Sequence, residues 1–384
     1  MVELMHGINP DILKWARERS GFTQEEAYRG ITSNVDTLHK WEMGQAAPTY
    51  RQLVKLADKY GRPIAIFYFP EPPDELEPGR EFRTLPSSEV AKLSPSVLIL
   101  IREAHARQLH LYELTRVGYQ AGKKIFIDIQ VTTSTPPQQA ARLIRDYLGI
   151  NMQVQTEWRS SDEALKAWRS AIQDAGIFVF KEPFYSESTD GFCIFDIEFP
   201  LIYLNNTRPK NRQIFTLLHE LAHVMIKSNG ITQDNQDYVE ALRGINREIE
   251  LFANDLAAEC LMPYDDFVIA ISKFERESIL LTAEQLSDRY KVSREAILVR
   301  MMKLNYISID AFEEARSKLY KSSKENRPGG TFYNNITTYL GEKYLGLAFG
   351  QYYANNCTIN QLAEYLGIKA SQIPSLEDRV FLSV

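Results

Sequence analysis

Phe215-Thr216-Leu217-Leu218-His219-Glu220-Leu221-Ala222-His223-Val224-Met225-Ile226 sets two histidines four residues apart, with a glutamate between them. Apolar residues surround the trio, so the spacing predicts a buried helix over about residues 211–227. On a helix, positions i and i+4 share one face a turn apart. Both imidazoles can therefore reach one metal ion, and paired imidazoles suit zinc. Glu220 lies beside that face, where its carboxylate can hold a water at the metal and take its proton. The plainer alternative is a helix whose two histidines are solvated or satisfied in the core. Against it stands the apolar surround, because buried histidines need partners and one ion serves both.

A catalytic zinc takes a third protein ligand and keeps one position open. No histidine follows His223, so an extended His-x-x-Gly-x-x-His arrangement is excluded. The remaining carboxylates are Glu240, Glu248, Glu250 and Glu259. Glu250 is the best candidate, expected to open a helix that runs through Ala258. Its i+4 neighbour Asn254 can hydrogen-bond a ligand histidine and orient it. Small Ala253, Ala257 and Ala258 let that helix approach the first closely. For Glu248 and Glu259 a solvated helix face is expected, and Cys260, amid Leu256, Leu261 and Met262, reads as core.

Upstream of the motif, residues 176–180, 191–197 and 201–204 read as strands, followed by the turn formers Asn205-Asn206. A sheet edge there would suit a peptidase that holds an extended peptide. Helices are expected at 96–116, 140–148, 161–175 and 247–262, the last stopped by Pro263. The chain then reads as helical to about residue 321. A basic link, 321–330, leads into a last helical piece.

Residues 8–69 read as four short helices. Thr23-Gln24-Glu25-Glu26 carries a capping box. Residues 35–43 form a third helix stopped by Gly44, and residues 49–60 a fourth. Next comes a proline-rich stretch, 70–95, expected to be a linker or extended strap. Residues 1–70 hold nine Lys or Arg against eight Asp or Glu, so any DNA affinity of this part should be weak and strongly salt-dependent.

The whole chain has 384 residues, 44% hydrophobic and 24% charged, which excludes a disordered, collagen-like or coiled-coil protein. Its apolar runs are too short for a membrane span. The start, from Met1 to His6, lacks the regions of a signal peptide, and Cys193, Cys260 and Cys357 are scattered, so a reducing cytoplasm is expected. A net charge of −6 gives no global attraction to nucleic acid.

Arg212-Gln213, Phe215-Thr216-Leu217 and His219-Glu220-Leu221-Ala222-His223, followed by Glu250, Ala253-Asn254, Ala257-Ala258 and Leu261-Met262-Pro263, resemble the ImmA/IrrE family of metallopeptidases. Ala222 stands where the family more usually has glycine. The resemblance implies His219, His223 and Glu250 as zinc ligands, Glu220 as general base, and cleavage of a helix-turn-helix repressor. Trp41-Glu42, Gly44 and Pro48, with Leu53 and Leu56-Ala57, resemble the helix-turn-helix of phage-type (XRE) repressors. That arrangement puts Asn34, Asp36, Thr37 and Lys40 towards the bases, with Gln24 on a phosphate.

The expected protein is thus α+β and mainly helical. It would comprise a helix-turn-helix domain (8–70), a linker and helical connector (71–135), a zincin-like peptidase domain with a small sheet (136–265), a helical bundle (266–325) and a C-terminal helical region (326–384). Weaker helix-turn-helix-like patterns occur at 283–300 and 359–368. Expected partners are a repressor or similar regulatory protein as substrate, operator DNA, the toxin of an adjacent gene, and a second copy of the chain, with no membrane. The second reading is a non-proteolytic DNA-binding regulator or antitoxin with a structural or sensory zinc.

Overall fold

A computed structural model describes residues 4–75, 78–82, 90, 92–116, 122–233, 242–274, 278–320 and 332–381. The chain divides into two compact units, 1–105 and 106–384. The protein is α+β and mainly helical, with one four-stranded sheet. No described helix is long and apolar enough to cross a membrane.

In the first unit α1 (Pro10–Arg19), α2 (Gln24–Ala27), α3 (Val35–Glu42) and α4 (Tyr50–Tyr60) enclose Ile12, Leu13, Leu38, Trp41, Leu53, Leu56 and Tyr60. Their starts follow from side-chain capping. Thr23 and Glu26 form the expected capping box on α2, and Thr49 with Gln52 forms another on α4. Arg17 of α1 donates to both oxygens of Glu42 at the end of α3, at 2.7 and 3.1 Å, and to the carbonyl of Phe22. Within the proline-rich stretch, α5 (Pro78–Glu81) is helical, and Glu75 receives two hydrogen bonds from Arg62. Its described part is therefore anchored rather than a free linker.

The boundary falls within α6 (Pro95–Thr115), and the second unit contains its C-terminal part, then α7 (Ile125–Asp128), α8 (Pro137–Leu148), α9 (Met152–Glu157) and α10 (Ser161–Asp174). The strands β1 (Phe178–Glu182), β2 (Thr189–Ile194) and β3 (Leu201–Asn205) precede α11 (Lys210–Met225), which leads to β4 (Gly230–Gln233). The sheet order is β1-β3-β2-β4, with β1 and β3 parallel and the other pairs antiparallel. One face of the sheet carries the aromatic row Phe180, Tyr203 and Phe192. The other, with Val179, Ile202, Leu204 and Cys193, joins Ile214, Leu217, Leu218 and Leu221 of α11 in the main core. Gly191 permits this approach: a Cβ there would lie 2.5 Å from Thr216 Cγ2 and 2.8 Å from the Tyr203 carbonyl oxygen.

Against α11 packs α12 (Ile245–Leu261), which carries Glu250 more than a turn inside the helix rather than at its opening. The far end of α12 is held by buried polar bonds. Arg145 of α8 donates to the Cys260 carbonyl, Gln155 of α9 to the carbonyls of Leu261 and Tyr290, and Arg300 to Glu259 and the Met262 carbonyl. Then follow α13 (Tyr264–Ile271), α14 (Ile279–Tyr290), α15 (Arg294–Lys303), α16 (Ile309–Tyr320), α17 (Phe332–Leu340), α18 (Glu342–Tyr353), α19 (Ile359–Leu366) and α20 (Ile373–Phe381). The expected basic link 321–330 lies outside the described residues.

Candidate metal centre

Two turns of α11 and one of α12 bring three side chains together. His219 Nε2 and His223 Nε2 are 3.1 Å apart. Glu250 closes the triangle, with Oε2 3.3 Å from His219 Nε2 and Oε1 3.5 Å from His223 Nε2. Zinc–ligand bonds of about 2.0–2.1 Å at tetrahedral angles place ligand atoms about 3.3 Å apart, close to each of these separations, the two to Glu250 being made by different carboxylate oxygens. All three residues are buried, and among the described residues they are the group of side chains able to share a metal ion. The donor set, two imidazoles and a carboxylate, fits zinc.

The two imidazoles are held differently. His219 Nδ1 lies 3.1 Å from Asn254 Oδ1, an arrangement in which the ring nitrogen donates and Nε2 is turned to Glu250 and His223. Among the described residues His223 Nδ1 has no hydrogen-bond partner. Its ring is instead walled by β4: a Cβ at Gly230 would come within 2.6 Å of both Cγ and Cδ2. Burial lowers the His219 pKa, but the hydrogen bond and charge of Glu250 outweigh it and raise it overall. At His223 burial prevails and the pKa is lowered.

Glu220 also meets β4. Its Oε1 accepts from the Thr232 amide at 3.1 Å and from Thr232 Oγ1 at 2.5 Å, while among the described residues Oε2 meets no geometric hydrogen-bond partner. Cys193 lies next to this carboxylate, and burial, then the charge of Glu220, pushes its thiol well above the ordinary range. At the start of α11, buried Asp190 receives Arg208 and Arg212, with Nε–Oδ distances of 2.6 and 2.5 Å.

The structure brings together His219, Glu220, His223, Glu250 and Asn254. Glu248 is exposed on α12, as expected. Glu259 is not on a solvated face: it is buried and paired with Arg300 at 2.6 Å, and it also accepts from the Tyr264 amide. Glu240 lies outside the described residues. Sequence reasoning missed Thr232 and Gly230. Their strand is only four residues long, and its opening Asn229-Gly230 reads as a turn.

On α3, Asn34, Asp36 and Lys40 are exposed and Thr37 is half-buried. Asn34 Oδ1 caps the helix, accepting from Thr37 N at 3.0 Å and Thr37 Oγ1 at 2.8 Å. Gln24 Nε2 donates to Glu42 at 2.7 Å, leaving one amide hydrogen for another acceptor.

The model of the M78 peptidases, described as the IrrE N-terminal-like domain, matches residues 172–302. A helix-turn-helix model matches residues 13–67. No curated protein matches the chain.

Proposed function

We propose, from a chain that joins an IrrE-like peptidase domain to an N-terminal XRE-type helix-turn-helix, that this protein is a zinc endopeptidase that hydrolyses a regulatory partner such as a helix-turn-helix repressor. The observation that carries the proposal is a base, Glu220, placed beside a metal-binding triangle, because a purely structural site has no use for one. A zinc ion bound there supplies a Lewis acid that polarises the scissile carbonyl and acidifies water. His219 and His223 bind through Nε2 and Glu250 through its carboxylate, while Asn254 fixes the His219 ring. Thr232 holds Glu220 Oε1 with two donors, so Oε2 is the atom that takes the proton of the attacking water and passes it to the leaving amine. Since β4 ends the sheet among the described residues, an extended substrate would add along it, next to Glu220.

The helix-turn-helix binds operator DNA under the same proposal. Asn34, Thr37 and Lys40 face the bases, and the second amide hydrogen of Gln24 faces a phosphate.

One observation favours a non-proteolytic regulator with a sensory or structural zinc: His219 is 1% exposed and Glu220, His223 and Glu250 are 0% exposed. A peptidase must open this site to substrate, whereas a sensor need not.

Glu220→Gln separates the two readings. Zinc content, read by elemental analysis, should be retained, and should be lost in His219→Ala and His223→Ala. Cleavage of a repressor encoded beside the gene should fall by orders of magnitude in Glu220→Gln. Cleavage at the wild-type rate would refute the role of Glu220, and no cleavage by the wild type would favour the sensor.

A further inference from the structure

Thr216 stands on α11 one turn before Glu220, so the two side chains leave the helix on one face. Gly191 of β2 marks where that face is pressed: a Cβ there would lie 2.5 Å from Thr216 Cγ2 and 3.7 Å from Glu220 Cγ. Thr232, which holds Glu220 Oε1, is the β4 residue paired with Gly191. The threonine of the helix and the base therefore meet the sheet at one point.

Two oxygens at this point are left over. Thr216 is 0% exposed, and its Oγ1 meets no hydrogen-bond partner among the described residues. A threonine in a helix ordinarily donates to the carbonyl four residues earlier, as Thr115 does to Leu111 at 2.6 Å and Thr156 to Met152 at 2.9 Å. Thr216 makes no such bond to Arg212. The other oxygen is Glu220 Oε2. Cys193, beside the same carboxylate, directs its Sγ to the Ser228 carbonyl at 3.7 Å. A buried hydroxyl and a buried carboxylate oxygen each cost stability when unpaired. Side chains at i and i+4 are about 5–6 Å apart at Cβ, a span that one water molecule bridges.

We propose that Thr216 is a positioning residue for the base: its hydroxyl holds a buried water that donates to Glu220 Oε2. The lone pairs of the carboxylate are then all assigned. Both on Oε1 go to Thr232; on Oε2 one goes to the bridging water, and the other is left for the proton that Glu220 takes. Held at both oxygens, the carboxylate cannot turn about its last bond. Thr216 itself touches no reacting atom. Its part in catalysis rests on the peptidase reading of Glu220, whereas the bridge does not.

The test uses the full-length protein and two readouts. Valine keeps the shape of threonine and removes the hydroxyl. Thr216→Val should lower the melting temperature by about 3 °C or more, because the water loses an anchor and Oε2 a donor. Glu220→Met removes the acceptor, and in that background Thr216→Val should leave the melting temperature unchanged or raise it. With a partner that the wild type cleaves, Thr216→Val should lower kcat about tenfold at unchanged KM and zinc content, and Thr216→Ser should recover most of the loss. The proposal is overturned if Thr216→Val melts at or above the wild type, which would make Oγ1 a dry, unpaired hydroxyl. It is equally overturned if the valine shift is the same in the Glu220→Met background, which would place the hydroxyl's bond elsewhere, or if kcat does not change. Where the wild type cleaves nothing, the peptidase reading fails and the melts still decide the bridge.

Discussion

Gly230→Ala tests the metal centre through a residue that binds nothing. The added methyl would stand 2.6 Å from Cγ and Cδ2 of His223 and 2.9 Å from Nε2. Close but real contacts begin at 3.0 Å and ordinary ones at 3.4 Å, so the ring must retreat by about 0.8 Å (3.4 less 2.6) to sit comfortably. It has little room to do so, because His223 is fully buried. Zinc sites tolerate deviations of about 0.2 Å in ligand distance. Changes in the shell that orients a ligand typically cost 10–100-fold in affinity, so moving the ligand itself should reach about 100-fold, or about 2.7 kcal/mol. The assay is competition for zinc against a chelator of known affinity, with thermal melts to show that the variant folds. Gly346→Ala in α18 is the control: its Cβ would meet nothing within 4 Å, and alanine favours a helix by about 1 kcal/mol. If Gly230→Ala remains folded and binds zinc as tightly as the wild type, then either β4 does not seat His223 or His223 is not a ligand.

Asn254→Ala should weaken zinc binding about 10–100-fold without abolishing it, since it frees the His219 ring but removes no ligand; chelator competition checks this. Glu42→Ala leaves Arg17 buried without its carboxylate, and should cost the helix-turn-helix about 3–5 kcal/mol in a denaturant melt. Lys14, Arg29, Lys40 and Arg51 are the cations of this domain with neither an ion pair nor a side-chain hydrogen bond among the described residues, Lys55 and Lys59 being held by the carbonyls of Gly30, Glu26 and Arg29. Four phosphate contacts at most would give log K against log salt a slope no steeper than about −3.6 per copy, and Lys40→Ala should lessen it by about 0.9 if Lys40 meets a phosphate; gel shifts at several salt concentrations measure both.

Periodic and capped segments could be read from the sequence because local rules dominate in them. The apolar surround of His219 and His223 defines α11, Pro263 limits α12, and Thr23, Thr49 and Thr358 mark helix starts through their capping boxes. Glu250 and Asn254 were legible as an i, i+4 pair on one helix. Partners supplied from afar were not. Thr232 reaches Glu220 through strand pairing that no short-range pattern announces. Glu259 looks like any helix-surface acid until Arg300, 41 residues later, folds against it.

The grip on the far end of α12 bears on how this unit opens. Bonds from Arg145, Gln155 and Arg300 converge on the last residues of the helix that carries Glu250, and they are buried. Fraying of α12 from that end would break several of them at once, so its amides should exchange with solvent only when α14 and α15 also come apart. The acid that completes the metal triangle therefore belongs to a block that opens together with α14 and α15. An ion bound at one end of α12 would retard hydrogen exchange in helices it never touches.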